Sequence, residues 1–449
     1  MARAKKGTAL TPEERLQAAL VPDWERPYKL PENWCWTTIK NVATVVTGGT
    51  PAKNNSDYYG GEFPFFKPAD LDAGRHVSEA SEYLSDLGKS FSRIIPAQAT
   101  AVCCIGSIGK CGFLDVEGAT NQQINSAIPY FNALYQYFYM NTEFFTNQLR
   151  NSASATTIAI VNKTKMESCY YPLAPLAEQQ RIVDRIESLF TKLDEAKEKA
   201  QAVVDSFETR KAAILHKAFT GELTAKWREE HGVRMESWEV RTLDSVCSSI
   251  FDGDHMPPPK AESGIPFLVI SNVNTGHLTF ENTRFVPQEY YDTLSDTRKP
   301  QLGDVLYTLV GSFGIPVVVN SKRPFCFQRH MALLRPIDVS PQFLWYILQT
   351  PEMYDKASSI ATGTAQLTVP IKGLRAMTIP RPNIAEQVEI VRILDGFFAR
   401  EQSAKEAAEA VLDQIELMKK SILARAFRGE LGTNDPSEES AVELLKQII

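Results

Sequence analysis

The sequence lacks the features that mark membrane proteins, secreted proteins and strongly basic proteins. No uncharged apolar stretch is long enough to cross a bilayer, and the first 30 residues contain no apolar signal region, so we expect neither a membrane span nor an export signal. The seven cysteines form no Cys-x-x-Cys pair, which favours reduced thiols in a cytoplasmic protein. The 48 Lys and Arg residues do not outnumber the 54 Asp and Glu residues, so the net charge of −6 gives no support for a nucleic-acid partner.

The sequence also lacks a complete catalytic or metal-binding motif. Residues 106–110 are similar to part of a phosphate-binding loop, but Cys104 and Cys111 stand where that loop needs Gly and Ser or Thr. No Gly-rich loop follows a predicted strand to hold S-adenosylmethionine, and the six scattered histidines have no partners at metal-ligand spacing. We therefore expect no catalytic residue, no metal site and no cofactor in this chain.

An internal repeat divides the chain of 449 residues, which is longer than one hydrophobic core usually supports, into two similar halves. The Ala-Glu-Gln sequence at 177–179 recurs at 385–387, and the match continues without a gap to Gly-Glu-Leu at 221–223 and 429–431. Upstream the similarity is weaker and its spacing varies. A tandem duplication explains this pattern if the aligned segments have a constrained length and the globular parts before them do not.

Each aligned segment has the periodicity of a long coiled-coil helix. Its apolar residues recur at alternating steps of four and three, interrupted by Arg210 in the first copy and Glu401 in the second. One such stripe would also suit a core helix of a globular domain, but two copies of matched length favour a pair of antiparallel helices. The residues predicted to pair are Ile182, Ile186, Leu189, Leu193, Ala196, Ala200, Val203, Phe207, Ile390, Leu394, Phe397, Ala404, Ala408, Val411 and Ile415.

Proline and glycine residues mark the boundaries between the segments. Prolines at 171–175 and 379–383 precede the long helices, and Gly221 and Gly429 lie near their ends. The predicted class is α+β, with two mixed α/β globular domains in a pseudo-twofold arrangement, joined by two long antiparallel coiled-coil helices. The predicted segments are an N-terminal extension with a short helix at 1–29, globular domains at 30–174 and 233–382, a central long helix and linker at 175–232, a C-terminal long helix at 383–432 and a short C-terminal helix at 433–449.

Shorter patterns predict further helices. Residues 135–149 and 341–354 have helical spacing of apolar residues. Thr11 and Asp435 are each followed by a proline and then by an acidic residue at the third position, which predicts that a short helix begins at each of them.

The two long helices also share a closing motif. The sequence Ala-Phe-x-Gly-Glu-Leu occurs at 218–223 and at 426–431, and polar, Gly-containing segments occupy 47–51, 251–255 and 362–366 in the globular parts. With the opening Ala-Glu-Gln sequences, this architecture resembles the specificity subunit of Type I restriction-modification systems from about residue 11 onward.

The resemblance implies a non-catalytic subunit that selects a DNA sequence. Each globular part would be a target recognition domain that reads one half of a bipartite, asymmetric site in double-stranded DNA, and the helices would hold the two domains apart. Two modification subunits with S-adenosylmethionine would methylate adenine at N6, and restriction subunits would cleave DNA with ATP and Mg. No membrane partner is expected.

Base reading favours amides, hydroxyls and Arg on loops, because these side chains match the donors and acceptors of the major groove. Neither globular part is basic, so we expect weak DNA binding by the isolated chain, with local clusters that include Lys322, Arg323, Arg335, Arg375 and Arg381 available to phosphates. The candidate DNA-binding residues of the first part are Thr50, Lys53, Asn54, Ser107, Asn121, Gln122, Gln123 and Lys163. Those of the second part are Asp252, Asp254, His255, Ser312, Gln328, Arg329, His330, Thr364, Gln366 and Lys372.

Two other functions compete with this interpretation. A duplicated coiled-coil scaffold that binds only proteins would use the same long helices. A self-sufficient DNA methyltransferase or nuclease is disfavoured by the missing cofactor and metal motifs.

Overall fold

Two units of the chain carry the same set of strands in the same spatial order. The computed structural model describes residues 11–153, 159–253 and 258–449. One unit comprises residues 1–200 and 410–449, and the other comprises residues 201–409. Each unit therefore contains one globular part together with portions of both long helices, and each is described separately below.

The described residues of the first unit form three sheets. An antiparallel four-stranded sheet has the spatial order Ala43–Thr47, Ile124–Pro129, Thr100–Cys103 and Cys111–Phe113. A three-stranded sheet has the order Tyr83–Leu84, Tyr59–Phe66 and Ala119–Thr120, in which the last pair is parallel. Cys35–Thr38 pairs with Tyr170–Leu173 just before the first long helix begins. The shorter helices are Pro12–Ala19, Asp86–Ser90, Ala133–Met140, Glu143–Ser152, Lys163–Glu167 and Ala441–Lys446.

The second unit repeats this topology. Its four-stranded sheet has the order Cys247–Asp252, Met331–Pro336, Val305–Thr308 and Pro316–Val318. Its three-stranded sheet has the order Arg284–Val286, Ile265–Leu268 and Cys326–Phe327, again with a parallel last pair. Glu239–Thr242 pairs with Thr378–Arg381 just before the second long helix. The shorter helices are Ala225–His231, Leu243–Val246, Gln288–Thr293, Pro341–Ile347, Pro351–Ile360 and Ile371–Ala376.

The first long helix is interrupted, whereas the second is continuous. The first consists of Leu176–Asp205 and Phe207–Phe219, and the second is the 43-residue helix Ile384–Ala426. At the interruption the hydroxyl of Ser206 donates to the carbonyl of Ala202, and the guanidinium of Arg210 donates to the carbonyl of Val203 at 3.1 Å. In a regular helix that second carbonyl would accept from Phe207, so side-chain donors compete with the backbone ladder here.

The long helices pair antiparallel, as the sequence predicted. In the first unit Lys197 contacts Glu416 at 2.7 Å and Lys419 contacts Asp194 at 2.5 Å, so residue numbers rise along one helix and fall along the other. In the second unit the two residues that interrupt the apolar stripes meet each other. Arg210 and Glu401 form an ion pair at 2.7 Å, with side chains that are 33% and 19% exposed.

The pairing residues have different environments along the helices. Ile182, Ile186, Ile390 and Leu394 are fully buried, but each belongs to the core of a globular part as well as to a helix. Ala200, Ala408 and Ile415 are buried, and Leu189, Leu193, Ala196, Val203, Phe207 and Phe397 are half-buried. The structure leaves Ala404 and Val411 exposed. Lys405 and Leu412, each one residue after an exposed predicted position, are half-buried instead and alternate with the buried Ala408 and Ile415.

Two expectations about shorter helices need correction. No helix begins at Asp435, because its carboxylate accepts the N–H and hydroxyl of Ser437 in a local turn, and the helix begins at Ala441 after the N-cap Ser440. The predicted helices at 135–149 and 341–354 are each two helices. The helix predicted after Thr11 is confirmed and has both bonds of a capping box.

Reversing one charge of the Arg210–Glu401 pair should destabilise the protein. Arg210→Glu would place two carboxylates between the helices, and we expect the free energy of unfolding to fall by about 1–3 kcal/mol, between the values typical of exposed and buried pairs. The double variant with Glu401→Arg should recover most of the loss in urea unfolding. Equal stability of the single and double variants would show that the pair does not stabilise the helices.

No helix among the described residues is both long enough and apolar enough to cross a membrane.

Candidate functional site

A buried carboxylate lies at the start of the first long helix. Glu178 is fully buried and accepts hydrogen bonds from the Trp34 indole at 2.7 Å, the Asn434 amide at 2.9 Å and the Thr433 hydroxyl at 3.3 Å. Thr433 and Asn434 follow the Gly-Glu-Leu motif of the second helix. The glutamate of the Ala-Glu-Gln motif thus joins the start of one helix to the segment after the end of the other.

The second unit has the same arrangement with one cationic donor. Glu386 is fully buried and accepts from the Trp238 indole at 2.9 Å, the Thr224 hydroxyl at 2.7 Å and the guanidinium of Arg228 at 2.6 Å. Arg228 is itself 8% exposed and donates to the carbonyl of Gly221. This buried ion pair is satisfied by several hydrogen bonds, which a buried charge requires.

The glutamine of each motif attaches the long helix to its globular part. The amide of Gln179 donates to the carbonyl of Ala174 at 2.8 Å and accepts the N–H of Asn132 at 3.3 Å. Gln387 makes the equivalent bonds to Pro382 and Ser340, both at 2.9 Å. Because Asn132 and Ser340 cap helices of the globular parts, the Ala-Glu-Gln motif is explained by these structural contacts.

Three polar turns of the first unit meet at one end of the four-stranded sheet. They are residues 47–51, 104–110 and 121–123. The N–H of Gly48 donates to Ile124 at 2.9 Å, and the N–H of Cys104 donates to Gln123 at 2.7 Å. A Cβ atom at Gly48 would overlap the backbone oxygens of Thr120 and Asn121, so the first and third turns pack too closely for any other residue.

The buried side-chain amide of Asn125 connects these turns. Asn125 is 2% exposed, and its carbonyl accepts the hydroxyl of Thr47 at 2.8 Å. Its NH₂ group donates to the sulfur of Cys104 at 3.3 Å and to the carbonyl of Val161 at 3.4 Å. The sequence gives no signal for this role of Asn125, because its partners are distant along the chain.

The candidate DNA-binding residues of the first unit lie on or near these turns. Lys53, Asn54, Ser107, Gln122 and Lys163 are exposed, Thr50 and Gln123 are half-buried, and Asn121 is 7% exposed. The hydroxyl of Thr50 donates to the carbonyl of Gln122, and the amide of Asn121 donates to that of Gln123 at 3.1 Å. Lys163 forms an ion pair with Glu167 at 3.4 Å.

The second unit brings the corresponding turns together. The N–H of Gly253 donates to Met331 at 3.2 Å, and the N–H of Leu309 donates to His330 at 2.8 Å. A further bond from Gly311 to Leu367 at 3.0 Å adds the 362–366 segment. A Cβ atom at Gly253 would overlap the carbonyl oxygen of Phe327, as at the equivalent glycine of the first unit.

The candidate residues of the second unit are mostly accessible. Ser312, Arg329, Thr364, Gln366 and Lys372 are exposed, and Asp252, Gln328 and His330 are half-buried. Partial burial lowers the pKa of His330, and the nearby charge of Arg329 lowers this pKa further, which favours the neutral imidazole. Asp254 and His255 lie outside the described residues.

Three arginines assigned to phosphate-contacting clusters are engaged within the protein. Arg335 forms a bidentate contact with the buried carboxylate of Asp304, the shortest bond being 2.9 Å. Arg375 donates to the carbonyl of Ile250, and Arg381 contacts Asp338 at 2.5 Å. These three side chains are therefore not available as phosphate contacts, because each would have to give up a partner within the protein.

The cysteine side chains are buried, and the described residues contain no metal-binding cluster. All seven cysteines are buried and none forms a disulfide, and burial raises the pKa of Cys35, Cys104, Cys169 and Cys247 to about 12. Within residues 11–153, 159–253 and 258–449, no group of three or more His, Cys, Asp or Glu side chains could hold a metal ion.

Comparisons with known proteins give one consistent result. A family model described as the Type I restriction modification DNA specificity domain matches residues 31–204 and 235–412. The Type I restriction enzyme EcoKI specificity subunit of Escherichia coli strain K12 is 24% identical over 457 residues, which cover 94% of this chain and 96% of that protein.

Two solved structures share the fold. The HsdS subunit from Thermoanaerobacter tengcongensis has a TM-score of 0.62 and 22% identity, covering 91% of this chain and 100% of that chain. A chain from a structural study of complex assembly and conformational transition in the type I R-M system has a TM-score of 0.69 and 21% identity, covering 90% and 100%.

Proposed function

The chain belongs to the Type I restriction-modification DNA specificity family, and on this basis we propose that its two globular domains each read one half of a bipartite, asymmetric site in double-stranded DNA. It is a DNA sequence-specificity subunit without catalytic activity of its own. The catalytic activities belong to partner subunits of the system. We assign residues 30–174 and 233–382 to the two recognition domains, 175–232 and 383–432 to the helical segments between them, and 1–29 and 433–449 to the terminal segments.

One observation gives the strongest support to two domains that read different half-sites. Each unit presents the same set of turns at the same end of an equivalent sheet, yet the side chains differ, with Asn-Gln-Gln at 121–123 and Gln-Arg-His at 328–330. A shared backbone with different donors and acceptors is what two readers of different base sequences need.

The proposed assembly contains two modification subunits that carry S-adenosylmethionine and methylate adenine at N6. Each target adenine must leave the base stack to reach a methyltransferase pocket, so correct placement of these subunits depends on the sequence reader. Restriction subunits that use ATP and Mg would join this core. Buried cysteines that form no disulfide suit a reducing compartment, and we place the protein in the cytoplasm.

DNA retention and methyl transfer test this function against its alternatives. The purified chain alone should bind DNA weakly and transfer no methyl group from labelled S-adenosylmethionine. With modification subunits added, it should retain duplexes of one bipartite sequence and direct their methylation. Methyl transfer by the chain alone would favour a self-sufficient enzyme, and absence of sequence-dependent retention in the complex would favour a protein-binding scaffold.

The spacing between half-sites should depend on the length of the paired helices. Inserting four residues after Ala200 would lengthen the helix by about 6 Å, which is a sizeable part of the roughly 34 Å of one DNA turn. The preferred spacer should therefore be altered or lost. Modified-base sequencing of DNA exposed to the complex would measure the spacer. A four-residue insertion after Gly276, in a turn outside the helices, is the control and should preserve it. An unchanged spacer in the helix variant would contradict this role of the helices.

A further inference from the structure

One turn, residues 121–123 in the first recognition domain and 328–330 in the second, has the same backbone contacts in both domains. Its middle residue therefore occupies an equivalent position in each. In the first domain the N–H of Asn121 donates to Phe66 at 3.1 Å, and in the second the N–H of Gln328 donates to Leu268 at 3.0 Å. The third residue of each turn also accepts a backbone N–H, from Cys104 or from Leu309. The backbone is thus held at both ends of the turn, and the middle side chain faces solvent in each domain.

In the second domain this middle residue is Arg329. Its side chain is exposed, and its positive charge adds to partial burial in lowering the pKa of the adjacent His330. Arg335 and Arg381, in contrast, are engaged within the protein by Asp304 and Asp338. Arg329 therefore presents a guanidinium fork to solvent from a fixed backbone.

In the first domain the middle residue is Gln122. Its side chain is exposed, and the hydroxyl of Thr50 donates to its carbonyl oxygen. An amide oxygen has a second lone pair, so this contact orients the amide while leaving an acceptor and the NH₂ donors available. The two domains therefore offer different hydrogen-bonding groups from the same place.

We propose that this middle residue reads a base edge, with Arg329 recognising a guanine in one half-site and Gln122 recognising an adenine in the other. A guanidinium can donate two hydrogen bonds to O6 and N7 of guanine, whereas a primary amide pairs with N6 and N7 of adenine. The assignment rests on the proposed function. It adds the identity of one base pair in each half-site.

The test is a pair of reciprocal variants in the complex with modification subunits. Modified-base sequencing should show that Arg329→Gln loses the preference for guanine at one position of one half-site, by roughly tenfold or more, and gains tolerance for adenine. Gln122→Arg should lose the preference for adenine at one position of the other half-site and gain tolerance for guanine there. If the wild-type complex and the Arg329→Gln complex methylate the same motif, the proposal is overturned.

A matched arginine separates base reading from loss of charge. Arg284 is exposed in the same domain, and its guanidinium carbon lies 5.6 Å from the centre of the Phe267 ring. Arg284→Gln removes the same charge, and we expect it to preserve the motif. If Arg329→Gln abolishes methylation, a duplex with 7-deazaguanine in place of the guanine would be tested as a competitor for binding to the wild-type complex. This base lacks N7, so the duplex should lose affinity only if the guanine is read through N7. A wild-type complex with no bipartite motif would instead refute the proposed function itself.

Discussion

Replacing Arg228 with alanine is expected to lower the free energy of unfolding by about 3–5 kcal/mol, the cost of removing one partner from a buried ion pair. Glu386 is fully buried, and without Arg228 it would keep only the neutral donors Trp238 and Thr224. Urea unfolding of the purified chain, followed by the fluorescence of its tryptophans, would measure the change.

An exposed ion pair in the same unit provides the control for this variant. Arg241 contacts Glu239 at 2.8 Å, but the two side chains are 49% and 48% exposed. Arg241→Ala should change stability by no more than about 1 kcal/mol. If Arg228→Ala had as small an effect as this control, the buried carboxylate would not be a main support of the second unit.

Replacing Gly48 with alanine is expected to abolish recognition by the first domain. The added Cβ would overlap the backbone oxygens of Thr120 and Asn121, so the turn at 121–123 would have to move. A displacement of about 1 Å in a positioning contact can reduce activity by roughly a hundredfold, and we expect a loss of methylation of that order in the complex. Incorporation of labelled methyl groups into a duplex with the native site measures the effect.

The adjacent glycine is a matched control. A Cβ atom at Gly49 would meet no atom within 4 Å, so Gly49→Ala should retain recognition. Gly253→Ala should impair the second domain as Gly48→Ala impairs the first, because its Cβ would overlap the carbonyl oxygen of Phe327. Normal methylation by both Gly48→Ala and Gly253→Ala would exclude the tightly packed turns as the reading surface.

The architecture could be predicted from the sequence because its main signals are periodic or repeated. The Ala-Glu-Gln and Gly-Glu-Leu motifs defined the two copies, and the steps of four and three defined the helices. Even the interruptions were informative, since Arg210 and Glu401 break the two stripes and form an ion pair with each other. These features depend on residues that are close in sequence or on the comparison of two copies.

The remaining features depend on contacts that no local pattern encodes. Asn125 connects turns through partners at 47, 104 and 161, and Arg335 is occupied by Asp304, so neither role follows from neighbouring residues. The segment after Asp435 has the sequence of a helix start but is held as a turn. Its residue Glu438 forms a bidentate ion pair with Arg181, a contact between residues far apart in the chain.

The most direct test of two independent readers is to exchange residues 30–174 for the matching domain of a related specificity subunit. The hybrid complex would be tested by modified-base sequencing of the DNA that it methylates. Independent domains predict a new sequence in one half-site, with the other half-site and the spacer unchanged. Simultaneous changes in both half-sites would contradict the account, since each domain would then no longer determine its own half of the site.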